Sequence, residues 1–145
     1  MNPPEVRWVV PADLAGLARL QADAADWLRR AGVEERAAGR VLLAFDEVAA
    51  NIVHHAALPP GAGFEVRLAP HGGDLRACFS DEGRPFDPTA AVPPVVPATL
   101  DEVPAGGFGL GLVRCLCRSM EYRRDGRRNH LSLRFAAVAD PHAPD

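Results

Sequence analysis

Residues 34–56, EERAAGRVLLAFDEVAANIVHHA, read as one long helix. Val41, Leu42, Phe45, Val48, Ala49 and Ile52 recur at the spacing that gathers apolar side chains on one face, and Pro59-Pro60-Gly61 stops the run. At about 100° per residue, Glu47 and Asn51 fall almost opposite that face, one turn apart, with His54 and His55 continuing their line. Polar residues opposite an apolar stripe are the rule for a solvated helix face. The same pair also suits the wall of a ligand cleft, with Glu47 as a general base and the Asn51 amide as an oxygen ligand to a hard cation such as Mg²⁺. Adjacent histidines on a helix point about 100° apart, so His54 and His55 do not make a ligand pair for one metal.

Upstream, Glu5 to Val10 is a short apolar-rich strand. Pro11-Ala12-Asp13 opens a helix whose Leu14, Leu17, Leu20, Ala24 and Leu28 keep helical spacing as far as Gly32. Downstream, Phe64, Val66 and Leu68 alternate with Glu65 and Arg67. The turn His71-Gly72-Gly73-Asp74 follows, and Leu75, Ala77 and Phe79 alternate on the return. Leu110 to Met120 reads as a third helix, with Leu112, Val113, Leu116, Cys117 and Met120 inward and Arg114 and Arg118 outward. Glu121 to Arg124, the turn Asp125-Gly126, and Asn129 to Ala137 form a last hairpin, and residues 140–145 a frayed tail. The expected fold is a single α+β domain over residues 1–145, a two-layer sandwich of a mixed or antiparallel sheet with helices on one face.

The 145 residues, 48% hydrophobic and 24% charged, suffice for one core and not for two domains. Net charge is −3 and all 16 basic residues are Arg, which disfavours a nucleic-acid binder working through backbone electrostatics. No apolar run approaches a membrane span, and MNPPEVRW lacks the features of a signal peptide, so a soluble cytoplasmic protein is expected. Cys78, Cys115 and Cys117 form no CxxC pair and read as packing residues, and Trp8 and Trp27 as core or partner anchors. Arg123, Arg124, Arg127 and Arg128 flank the last turn and read as a solvated hairpin tip, with contact to an acidic partner as the other reading.

Two further stretches carry candidate chemistry. Asp81-Glu82-Gly83 ends the return strand. It is either a strand-ending turn, or a pocket floor where Asp81 accepts a hydrogen bond from an exocyclic amine and Gly83 lets backbone approach a base. Gly106-Gly107-Phe108-Gly109-Leu110-Gly111 precedes the third helix, where outward N–H groups at the positive end of a helix dipole suit phosphate. No GK[ST] follows and no strand precedes, so neither the P-loop nor the dinucleotide fingerprint fits. Between the two stretches, residues 84–105 hold six prolines in twenty-two positions, which excludes a helix or central strand and leaves a lid or binding loop.

Taken in order, these stretches resemble the ATPase family shared by gyrase, the histidine kinases and the mismatch repair ATPases, with its Bergerat-type ATP-binding fold. LAFDEVAANIVHHA (43–56) is similar to the N box, SDEGRPFDP (80–88) to the first glycine box and GGFGLGL (106–112) to the second. Within that family the likeness is greatest to the anti-sigma factor serine/threonine kinases, over nearly the whole chain. The resemblance implies an ATP-dependent protein kinase with Glu47 as base, Asn51 as Mg²⁺ ligand, and Asp81 and Gly83 at adenine. Gly107, Gly109, Leu110 and Gly111 would lie at the phosphates, and residues 84–105 would form the ATP lid. It further implies transcription regulation: phosphorylation of a small anti-anti-sigma (antagonist) protein, sequestration of a sigma factor or similar regulator, and a homodimer, with no direct nucleic acid or membrane contact. The alternative is a nucleotide-gated partner-binding module without kinase activity. Pro85 stands where the wider family often has Gly, and the lid segment's only basic residue is Arg84.

Overall fold

A computed structural model of the chain describes residues 4–89 and 109–138. Gly107, residues 90–105 of the expected lid and the tail 140–145 lie outside them. The elements run β1 (Val6–Pro11), α1 (Leu14–Arg30), α2 (Glu35–His55), β2 (Gly63–His71), β3 (Asp74–Asp81), α3 (Gly109–Leu116), β4 (Ser119–Asp125) and β5 (Arg128–Ala136). The five strands form one sheet in the order β1-β2-β3-β5-β4, and every neighbouring pair is antiparallel.

Local chemistry sets the element ends. Asp13 caps α1, accepting from Gly16 N at 2.7 Å, and Arg29 and Arg30 sit in the last turn, where a positive charge complements the helix dipole. The β2–β3 turn places Gly72 at φ 55° and Gly73 at φ 88°, the left-handed pair that a two-residue hairpin requires.

Strand alternation divides the sheet into two faces. Val66, Leu68, Ala77, Phe79, Leu131, Leu133 and Phe135 are buried beneath Leu20, Ala24 and Leu28 of α1 and Val41, Phe45, Val48 and Ile52 of α2. Arg7, Arg67, Arg76, Glu121 and Arg123 occupy the alternate positions and are exposed, as in an antiparallel sheet wet on one side. Phe45 of α2 meets Phe79 of β3 edge-on at 5.1 Å between ring centroids, so the long helix is pinned over the strand that ends at Asp81. Among the described residues no helix is long and apolar enough to cross a membrane.

Three expectations are corrected. The third helix ends at Leu116, not Met120, because Arg118 N donates to Arg134 O at 2.7 Å and the chain has already joined the sheet at Ser119. Met120 still packs against the core, but as a strand residue opposite Leu133. Cys115 is exposed, so packing accounts for only two cysteines; burial pushes the Cys117 thiol up. The third correction concerns Glu47 and Asn51: the exposed line of α2 runs through Leu43, Asp46 and His54, while Glu47 and Asn51 lie half-buried on the shoulder of the apolar face. Trp27 is a core residue, its Nε1 donating to Pro4 O at 3.3 Å.

Candidate functional site

The shoulder of α2 forms one wall of a cleft. Val48, Asn51, Ile52 and Ala56 line it from the helix, Phe79 and Asp81 from β3, Leu131 and Asn129 from β5, and Tyr122 from β4. Arg84, Phe86 and Pro88 close one side. Most of this wall is apolar, with polar groups converging at one end, the composition that suits a flat heterocycle with a polar edge.

Asp81 lies at that polar end and is only 7% exposed. Its Oδ1 accepts from Gly83 N at 2.8 Å and from Asn129 Nδ2 at 2.9 Å. Neither of these bonds uses Oδ2, leaving acceptor capacity for a ligand donor. Asn129, 6% exposed, also donates through Nδ2 to Arg84 O at 2.9 Å, and its Oδ1 accepts from Tyr122 Oη at 2.5 Å and Arg124 Nη1 at 3.0 Å. On the sheet's other face, Ser80 Oγ lies 2.8 Å from His130 Nδ1. Burial, with Arg123 and Arg128 nearby, holds that imidazole below its ordinary value.

Gly83 has a packing reason to be glycine. A Cβ there would stand 2.2 Å from Ala56 O, at the end of α2. Arg84 N donates to the same oxygen at 2.8 Å, and Arg84 Nε to His55 O at 2.7 Å, so the turn after β3 also satisfies carbonyls at the end of the helix. The side-chain side of Gly83 is thus taken up by α2, and Asp81, not Gly83, lines the cleft. Beyond the turn, Asp87 Oδ1 accepts from Thr89 N at 2.8 Å, and Arg114 of α3 donates to Thr89 O, fastening this segment to the third helix.

Asn51 and Asp81, distant in sequence, therefore share one cleft. Glu47 lies one turn before Asn51 and outside the cleft lining. Gly109, Leu110 and Gly111 form the first turn of α3, which packs on α2, and the N–H groups of a first turn have no acceptor within the helix. Asn129, Tyr122 and Arg124 were missed as site residues. Asn129 faces Asp81 directly across β3 and β5, but those strands are not consecutive, so only the sheet order reveals the pair.

The comparisons with known proteins agree with this geometry. Residues 10–135 match the family described as the histidine kinase-like ATPase domain. The chain is 32% identical over 126 residues to the serine/threonine-protein kinase BtrW of Bordetella bronchiseptica, covering 83% of this chain and 89% of that protein. Among solved structures, the RsbU and RsbW domains of Rv1364c from Mycobacterium tuberculosis superpose with a TM-score of 0.68 at 18% identity, over 91% of this chain and 32% of that one. The SiaB-SiaC complex from Pseudomonas aeruginosa gives a TM-score of 0.55 at 18% identity, over 90% of this chain and 88% of that one. With the α+β sandwich, the cleft between α2 and β3 and a family match spanning residues 10–135, the chain belongs to the histidine kinase-like ATPase domain family.

Proposed function

We propose that the chain is an ATP-dependent serine/threonine protein kinase of the anti-sigma type, acting on a small antagonist protein and holding a sigma factor or similar regulator in alternation with it. One observation carries the reading: a buried aspartate whose described hydrogen bonds leave Oδ2 for a ligand, at the polar end of an apolar cleft walled by the helix that bears Glu47 and Asn51. A base edge presenting an amino group matches that acceptor, and a keto oxygen would meet it with repulsion. The apolar wall suits the adenine ring, and the first-turn N–H groups of α3, which have no acceptor within the helix, suit the phosphates.

Asn51 offers the amide oxygen that a hard cation accepts, so the residues present fit Mg²⁺ alongside the phosphates. When bound, Mg²⁺ neutralises charge on the phosphate oxygens. Glu47 takes the proton of the acceptor serine hydroxyl as its oxygen bonds to the γ-phosphorus; the bond to the bridging oxygen breaks and ADP leaves. Positioning and charge neutralisation do most of the work in such chemistry, so a small set of groups is enough. Kinship with BtrW supports the kinase class, and a protein partner is in keeping with the solved SiaB-SiaC complex.

The test is phosphoryl transfer from labelled ATP to purified candidate antagonist proteins. Glu47→Ala is expected to keep its ATP affinity and to lose transfer by roughly a hundredfold or more. Nucleotide binding by the wild type without transfer to any cognate partner would favour a nucleotide-gated binding module instead.

A further inference from the structure

Three side chains lie in a row across β4, β5 and β3: Arg124 pairs with Asn129 and Asn129 with Asp81. We propose that Arg124 and Asn129 are positioning residues for Asp81, fixing its carboxylate for the nucleotide base, Asn129 from within the cleft lining and Arg124 from behind it. This inference rests on the reading of Asp81 given above.

Asn129 acts through others because its hydrogen bonds are spoken for. Its Oδ1 faces two donors, Tyr122 Oη at 2.5 Å and Arg124 Nη1 at 3.0 Å. Its Nδ2 faces acceptors, Asp81 Oδ1 and Arg84 O, both at 2.9 Å. The donors and acceptors on the two sides define the amide's orientation, and both N–H donors are used. What Asn129 does is pin Asp81 Oδ1 together with Gly83 N, so that turning the carboxylate breaks two bonds at once.

Arg124 in turn pins Asn129 and the turn. Its Nη1 donates to Gly83 O at 2.7 Å as well as to Asn129 Oδ1, and its Nε to Gly126 O at 3.1 Å, which holds the guanidinium against its own hairpin. The residue that the sequence reads as part of a solvated tip is therefore a brace between the last hairpin and the floor of the cleft. Removing it leaves Gly83 O and Asn129 Oδ1 each short of a charged donor, and the Asp81 orientation is held by fewer bonds.

The experiment titrates the full chain calorimetrically with ATP and with purine riboside triphosphate, which lacks the amino group that Asp81 would accept. The wild type is expected to prefer ATP. Arg124→Met, which keeps much of the aliphatic stem, is expected to weaken ATP binding by about fivefold to tenfold while weakening purine riboside triphosphate less, so that the preference shrinks. Arg124→Lys, able to restore one donor, is expected to recover part of the preference. Asn129→Ala is expected to show the larger loss; if it fails to fold, the half-exposed Arg124 carries the test alone. Equal weakening of both nucleotides in Arg124→Met, or wild-type affinity for both, would overturn the positioning role while leaving Asp81 as the base contact. A wild type that binds both nucleotides equally would remove the Asp81 reading itself, and one that binds neither would remove the ATP reading with it.

Discussion

Gly83 shows how much one missing methyl group decides. The added Cβ of Gly83→Ala would meet Ala56 O at 2.2 Å and Ala56 Cβ at 2.7 Å, and Ala56 O is held in place by its hydrogen bond from Arg84 N. Neither backbone can yield without breaking the junction between α2 and the turn after β3. Gly83→Ala is expected to lower the unfolding free energy by about 2 kcal/mol, measured by urea denaturation. Gly39→Ala supplies the contrast: it sits on α2 with nothing within 4 Å of the new Cβ, and should raise stability by roughly 0.5–1 kcal/mol in the same assay. From sequence, Gly83 was legible as a position needing close approach, but the approaching group was not, because the end of α2 reaches it from 27 residues back.

Among elements, the edge strand β1 is held to the sheet by charge as well as by its ladder. Glu65 of β2 accepts from Arg7 of β1 at 2.7 Å and from Arg67 Nε at 2.8 Å. The Arg7 hydrogen bond is the main cause that brings the Glu65 carboxyl down to about 2 from an ordinary 4.5, against an opposing push from burial. As pH falls below 4.5 the unfolded chain takes up this proton first, so the Glu65 contribution is complete above that range and is lost towards pH 2. Both arginines reach solvent, so the pair is worth about 1 kcal/mol at most at neutral pH. Glu65→Gln should accordingly lose about that much at pH 7 and show a flatter fall in stability between pH 4.5 and 2, followed by urea midpoints at each pH. Alternation made β2 and β3 legible in sequence because their hairpin is local. The end of α3 was not, since Leu112, Val113, Leu116 and Met120 keep helical spacing while a sheet partner in β5 captures the chain at Arg118.

For the whole molecule, the sequence singled out Asn51 and Asp81, which share the cleft, but not the depth at which Asp81 lies. Helical spacing put Glu47 and Asn51 one turn apart on one line but too far from the apolar face, and alternation put Asp81 at a strand end. The brace from Arg124 through Asn129 depends on strand order, which no local pattern encodes. The cleft joins α2 to β3, and α3 packs on α2, so a ligand seated there would tie together segments from the middle and the end of the chain. Anything that binds only the folded state raises its stability by mass action. Mg-ATP at a hundred times its dissociation constant should add about 2.7 kcal/mol, a rise of roughly 10 °C in the melting midpoint for a domain of this size. On the proposed reading Asp81→Ala removes the base contact and Asn51→Ala the cation ligand, so each is expected to lose most of that rise, whereas Glu47→Ala, at the proposed base, is expected to keep it. Differential scanning fluorimetry with Mg-ATP, with ATP in excess EDTA and without nucleotide separates the three. Asn51→Ala should resemble the wild type in EDTA, Asp81→Ala should show little response in either, and an unchanged midpoint for the wild type in Mg-ATP would remove the nucleotide from this cleft altogether.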